Sequence, residues 1–444
     1  MERKLIDKAE NILIISLMLI FTLNYTIAGI LKSSIFSPLK NIVMLLIFVL
    51  FVYKFFSVSK DERKGWFTEK FLFLPSVVWL LLFFVVRCIS FCIEGFQYGI
   101  AREIFFEFVF LIAICRWTVG KNVRIDILAY VFCILNLIMN LANTYCFHIL
   151  VLYFEGNSVN DNVIGFLKGL GTYSDYGISY NPAILYVNPN SAGIMTALAI
   201  LLSFLLVKNK KRLPVFVLYW IYSLYTLYQY GSRGAEIGFI VAIISIAMIL
   251  GLRWITPKRL VAVCLLCCCV LTVFMYAFIG YNLMDGSRAL NEVETKINTV
   301  GSSRYVIWQD CFISHSDKWL FGTGSPALEK EQRNEYLKEN YTETYGTDEG
   351  FVPTTFSVHN GYLATIFITG WAGFILFIMI MLDKISKARI LMQRNKNGAI
   401  VASIAIFTLM VSNFEALLIT SRYFTVLLLF IILAWDIDQE EGCK

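Results

Sequence analysis

Histidine is the place to begin, because the chain of 444 residues holds three: His148, His315 and His359. An imidazole has an ordinary pKa near ~6.5, so it can take a proton at neutral pH. His359 lies in Ser357-Val358-His359-Asn360-Gly361-Tyr362, where a long polar segment gives way to an apolar run. Two readings fit that place: a proton acceptor at the mouth of a helix bundle, or an interfacial ring held by a backbone carbonyl. His148 ends an apolar run beside aromatics and reads as an interfacial residue. His315 is expected in solvent.

Two arginines could serve an anionic substrate. Arg233 sits in Gly231-Ser232-Arg233-Gly234-Ala235-Glu236, a very short turn between two apolar runs. Its guanidinium would lie at the membrane surface, where it can form bidentate hydrogen bonds with phosphate oxygens. The competing reading pairs it with Glu236, three residues on. Arg304 opens a predicted helix over 302–315, capped by Ser302-Ser303 because a serine oxygen satisfies free backbone amides. On it, Arg304, Trp308, Cys311 and His315 are spaced to share one face. Arg304 is either a second phosphate-binding group or a surface charge. Further charges lie in or near apolar runs: Arg87, Arg102, Glu103, Glu107, Asp383, Glu415 and Arg422. At membrane depth such groups are costly and usually paired or functional; Arg87 with Glu103 or Glu107 is one candidate pair.

What positions these residues follows from bulk composition. The chain is 58% hydrophobic and 16% charged, with a mean hydropathy of +0.68. Soluble domains carry about 25% charged residues, so this chain has too little polar surface to dissolve as a monomer. Apolar runs of about 20 residues, enough to cross a bilayer as helix, recur from end to end. They predict an all-α polytopic membrane protein with spans near 11–31, 40–57, 71–93, 104–118, 125–148 and 190–207. A second set follows near 213–230, 234–252, 259–281, 359–382, 398–414 and 417–435. That is about 12 transmembrane helices. Met1 to Glu10 is charged and the run from Asn11 is long enough to stay as an anchor, so no cleavable signal is expected.

Basic residues cluster in alternate connections: 60–64, 116–124, 208–212, 253–259 and 384–396. By the positive-inside rule these face the cytoplasm, with both termini. Two longer connections then lie outside, near 153–187 and over 284–358. The chain therefore divides into helices 1–9 within 1–283, a large, partly helical extracytoplasmic loop over 284–358, and helices 10–12 with a short cytoplasmic tail over 359–444. The stretch 327–350 is expected as a surface helix followed by a loop tip.

The net charge of +6 does not indicate nucleic acid, since no basic stripe is interleaved with aromatics. Most of the 11 cysteines fall inside apolar runs and read as small hydrophobes. No phosphate loop and no His-Glu-x-x-His helix occurs, and Asp436-Ile437-Asp438 reads as a pair of solvated acids in the tail. No metal and no cofactor is expected.

Several short motifs occur in order: Asn188-Pro189-Asn190, then Gly231-Ser232-Arg233-Gly234, then Ser303-Arg304 with Trp308 and Phe321-Gly322-Thr323-Gly324. They continue with His359-Asn360-Gly361-Tyr362-Leu363 and Gly370-Trp371-Ala372-Gly373. In this order, on a chain of this topology, they resemble the bacterial O-antigen ligases and the related O-antigen and capsular polysaccharide polymerases. The resemblance implies an inverting, metal-independent glycosyltransferase at the outer face of the bacterial cytoplasmic membrane, with a glycan on undecaprenyl diphosphate as donor. It implies that Arg233 and Arg304 hold the diphosphate and that His359 takes the acceptor's proton or orients the acceptor. Trp308, Asn360 and Tyr362 would then contact substrate. Flippase and chain-length regulator proteins are the protein partners it suggests.

Polymerase activity, joining one lipid-linked repeat unit to another, is the favoured form. Ligase-type transfer of a finished glycan to another acceptor is the alternative. From a different class, a polysaccharide flippase or other transporter would use the intramembrane charges as its path. It would be expected to show internal repeats, and no clear repeat is present. A receptor without catalysis would explain the loop but not Arg233 and His359 at the two adjoining span ends.

Overall fold

Asparagine starts three of the helices that build the bundle, and in each the reason is local. The computed structural model describes residues 33–57, 76–95, 125–156, 173–174, 177–178, 186, 188–207, 210–252, 254–283, 304–341 and 358–418, with isolated positions in 9–23, 98–106 and 428–433. Its helices are α1 (Ser33–Ser57), α2 (Ser76–Glu94), α3 (Ile125–Gly156), α4 (Pro189–Leu206), α5 (Leu213–Tyr230) and α6 (Arg233–Gly251). They continue with α7 (Pro257–Leu283), α8 (Arg304–Ser314), α9 (Pro326–Tyr341), α10 (Gly361–Lys387) and α11 (Lys396–Val411). A two-residue antiparallel pair, Tyr173–Ser174 with Gly177–Ile178, interrupts the helical pattern among the described residues.

Asn188, Asn360 and Asn395 each accept a backbone amide of the first turn: Ser191 N at 2.7 Å, Tyr362 N and Leu363 N at 3.0 Å, and Gly398 N at 2.8 Å. Each thereby satisfies a donor that the helix leaves unpaired. Pro189 follows the first of these caps, where its fixed φ suits a helix start.

The described helices coincide with the expected spans from 40–57 to 398–414, except for 104–118. The expectations for 11–31, 104–118 and 417–435, much of 153–187, and the segments 284–303 and 342–357 fall largely outside the described residues, as do the Glu103, Glu107 and His148 side chains. Five described helices are long and apolar enough to cross a membrane: 125–144 of α3, α4, α6, α7 and α10. α4 is the innermost of these, touching α3, α5, α6 and α11. α11 packs along α6 and α7, and α10 along α2 and α7. Gly193 and Gly238 carry no side chain where α4 and α11 press on α6, so the backbones approach closely.

Inside the bundle a polar network ties α3 to α4 and α5. Asn140 bonds Thr196 and Thr226 and receives the hydroxyls of Tyr186 and Tyr230 at 2.9 and 2.8 Å. Asn136 bonds Thr196 and Tyr186. Buried polar groups are tolerated in an apolar bundle when each has a partner.

α10 is broken at Gly370 (φ 64°, ψ −176°). The turn Trp319–Gly324 lies in the break. Thr323 N and Gly324 N donate to the carbonyls of Phe367 and Ile368, and the amides of Trp371 and Ala372 donate to Trp319 and Leu320. A Cβ at Gly370 would collide with the Leu320 carbonyl, so both the positive φ and the contact require glycine. On its other side the turn meets α2: Arg87 donates to Gly324 O at 3.3 Å and Ser90 to Phe321 O. Arg87 thus has a backbone carbonyl among its partners; Glu103 and Glu107, with which a pair was expected, lie outside the described residues. Non-helical backbone at a bundle's core is tolerated when protein groups satisfy it.

The helices alternate in direction, which sorts the charges. At one end, Lys258, Arg394 and Lys396 donate to the carbonyls of Ser386, Leu252 and Val207, at or near the C-terminal ends of α10, α6 and α4. At the opposite end lie the starts of α4, α6 and α10 and the helices α8 and α9.

Candidate functional site

The two turns that frame the site are joined through their backbones. α11 ends at Val411 and the chain turns through Ser412–Leu418, where Glu415 N donates to Val411 O. Gly361 N, at the start of α10, donates to Ser412 O at 2.6 Å. His359 immediately precedes the Asn360 cap and holds φ 49°, a left-handed conformation uncommon for a residue with a side chain. The surrounding hydrogen bonds impose it.

Glu415 is where the side chains meet. Its Oε2 lies 3.1 Å from His359 Nδ1, and its Oε1 lies 3.2 Å from Arg304 Nη2. Asn190 Nδ2 also donates to Oε1 at 2.6 Å, and Ser232 Oγ donates to Asn190 Oδ1 at 3.2 Å. The side-chain exposures of Arg304, Glu415 and His359 are 17%, 15% and 22%, so the cluster is sheltered yet reachable. Four helix starts converge on one carboxylate: α4 through Asn190, α6 through Ser232, α8 through Arg304 and α10 through His359. Helix N-termini carry partial positive charge and favour anions.

The expected site residues separate here. Arg304 and His359 are brought together. Arg233 follows Ser232 at the start of α6 but is exposed, and among the described residues its side chain makes no hydrogen bond or ion pair, with Glu236 or any other group. Trp308 donates its Nε1 hydrogen to Val358 O at 2.8 Å, which holds the residue just before His359.

Asn360 and Tyr362, expected against substrate, are engaged elsewhere. Asn360 is buried as the α10 cap, and Tyr362 is wholly buried with its hydroxyl on Leu409 O at 3.0 Å. The reason is the helix period: Tyr362 falls on the α10 face that packs into the bundle. Glu415 was visible in the sequence only as one of several acids near span ends. Its signal was that cost of charge near an apolar run, and nothing nearby in the chain named its partners.

His315 is the other correction. It is buried rather than solvated, with Nδ1 2.9 Å from Cys311 O. Cys311 lies 3.4 Å from Glu329 on α9, and Glu329 pairs with Arg333 at 3.0 Å. The face of α8 therefore divides between two partners, with Arg304 on Glu415 and Cys311 on α9. α9 is helical as expected, but Leu328, Glu329 and Arg333 are buried, so it is more than a surface helix.

Fold and site together define a class: a helical, multi-pass membrane protein with a carboxylate, a guanidinium and an imidazole gathered at one end of its bundle. Within that class, residues 218–378 match the model of the O-antigen ligase family, which supports an O-antigen ligase or polymerase type of protein. The matched region runs from α5 into α10. It takes in Arg233, Arg304 and His359 and ends before Glu415. No curated protein matches the chain.

Proposed function

We propose that the protein is a glycosyltransferase of the outer face of the bacterial cytoplasmic membrane, joining undecaprenyl-diphosphate-linked repeat units into a polysaccharide. The observation that carries this reading is the meeting of Arg304 and His359 on Glu415, at the bundle end opposite the basic residues Lys258, Arg394 and Lys396. Basic ends face the cytoplasm, so the site would face outward, with both termini inside and about twelve spans in all. The segment 284–358 is then the extracytoplasmic loop.

In this reading His359 receives the proton of an acceptor hydroxyl as its oxygen attacks the anomeric carbon with inversion. The bond from that carbon to the diphosphate breaks, and negative charge grows on the departing undecaprenyl diphosphate. Arg304 and Arg233 offset it. Two guanidinium groups against one carboxylate leave net positive charge, and preorganised charge of this kind is usually the largest catalytic contribution. Trp308 keeps the His359 turn in place. No metal takes part in the scheme. The bilayer would hold the polyprenyl tail, and flippase and chain-length regulator proteins would act before and beside the enzyme.

The family description favours a second reading, ligase-type transfer to a separate acceptor. One experiment separates the possibilities. Purified protein is given lipid-linked repeat units in detergent, without an energy source. A ladder of lengthening chains is expected. Consumption of donor only when a different acceptor is added would point to the ligase, and no transfer under either condition would overturn both.

A further inference from the structure

We propose that Glu415 is the positioning residue of this site: one oxygen fixes the catalytic face of His359, and the other fixes the angle of Arg304. The inference rests on the glycosyl-transfer reading and adds to it a residue outside the matched family region.

A carboxylate accepts hydrogen bonds and does not donate them. With Glu415 Oε2 at 3.1 Å, Nδ1 of His359 must carry hydrogen, which leaves Nε2 as the bare nitrogen of the neutral ring. The proton acceptor is therefore Nε2. Without Glu415 the two tautomers would compete and the ring could rotate. When the acceptor hydroxyl gives its proton to Nε2, the ring becomes a cation, and the Glu415 carboxylate already faces it. Hydrogen bonds to the far ring nitrogen set tautomer and orientation in this way.

The second oxygen acts on the donor side. Glu415 Oε1 holds Nη2 of Arg304, so one edge of the guanidinium is committed to protein and its remaining N–H groups are left for an anion. Asn190 donates to the same oxygen and so prevents the carboxylate from turning, and Ser232 holds Asn190 in turn. The chain from Ser232 through Asn190 to Glu415 thus connects the start of α6, which carries Arg233, to both other groups. A carboxylate placed only for stability would need one cation. This one divides its two oxygens between a base and an anion-binding group.

The test uses full-length protein in detergent with lipid-linked repeat units. Glu415→Ala is expected to lower kcat by ~10²-fold or more, the scale of a misplaced general base, with KM for the donor changed less than about threefold. Glu415→Asp should recover part of the loss, and formate added to Glu415→Ala should recover part as well, which a purely structural role would not allow. ¹⁵N-histidine NMR gives a readout apart from activity, because three histidines can be assigned with a His359→Gln control. Wild type should show His359 protonated on Nδ1, and Glu415→Ala a mixture of tautomers. Glu415→Ala retaining more than half of wild-type kcat, or an unchanged His359 tautomer, would overturn the proposal. If Glu415→Ala does not fold, Glu415→Gln carries the kinetic test and Asn190→Ala, which frees the carboxylate to turn, carries the tautomer test with the same criteria. Should wild type transfer no glycan, the functional reading fails, while the tautomer result still decides what Glu415 does to His359.

Discussion

Two groupings of glutamate, arginine and histidine stand out among the described residues, and their difference separates structure from chemistry. One is Glu329, Arg333 and His315, between α8 and α9. The other is Glu415, Arg304 and His359, at the mouth of the bundle. The residue types are the same. In the first, the side chains of Arg333 and Glu329 are 0% and 4% exposed and belong to consecutive turns of one helix. In the second, every member comes from a different segment and keeps some exposure.

Burial decides what each can do. Burial, and next the neighbouring Glu329 carboxylate, pushes the Cys311 thiol well above its ordinary range, so it stays protonated. Burial also lowers the His315 pKa, keeping that ring neutral. The inner grouping is closed to a substrate. It holds α8 against α9, and α8 carries Arg304 at its first residue. The closed grouping therefore supports the open one.

The largest effect should come from the open grouping. His359→Ala and Arg304→Ala are each expected to lower transfer by ~10²–10³-fold or more, with protein level and thermal midpoint close to wild type. Full activity in either, measured as chain growth per milligram of folded protein, would remove that residue from the site. The closed grouping should respond in the other currency. Arg333→Met leaves Glu329 buried without its cation, which costs ~3–5 kcal/mol. It should appear as early protease cleavage within 304–341. A stable Arg333→Met protein with lost activity would reverse the comparison.

Tyr362→Phe tests the boundary between the two. It removes one buried hydrogen bond, to Leu409 O, worth ~0.5–1.5 kcal/mol, and should leave kcat within about twofold because the hydroxyl is enclosed. A larger loss of kcat at unchanged stability would return Tyr362 to the substrate.

The smallest effect is a pH dependence. The folded state holds His315 below its ordinary 6.5, so the unfolded loop binds a proton more readily. Stability from this residue is present above that value and lost as pH falls through it. Hydrogen exchange in α8 and α9 should therefore quicken on acidification, and His315→Gln should flatten the trend.

How far the sequence reaches can be judged on particular residues. The apolar runs gave the helices because crossing a bilayer imposes a length and a composition that are read directly from the chain. Asn188 and Asn360 stand inside short motifs, but the motifs assign Asn360 to substrate and only the structure shows both as caps, although capping depends on neighbours two or three residues away. Arg304 and His359 could be singled out as types, a fixed cation and a proton acceptor at the ends of apolar runs. Their meeting could not, because it depends on Glu415, distant from both in the chain and carried on the turn after α11. For the same reason the burial of Tyr362 and His315 could not be read from the chain: their faces are chosen by packing against α11 and α9. Composition and hydrophobic period thus determined that this is a helical membrane protein and where its candidate chemistry begins. Only the tertiary structure decided which carboxylate those groups share, because burial and long-range pairing are properties of the packed helices and have no local signature.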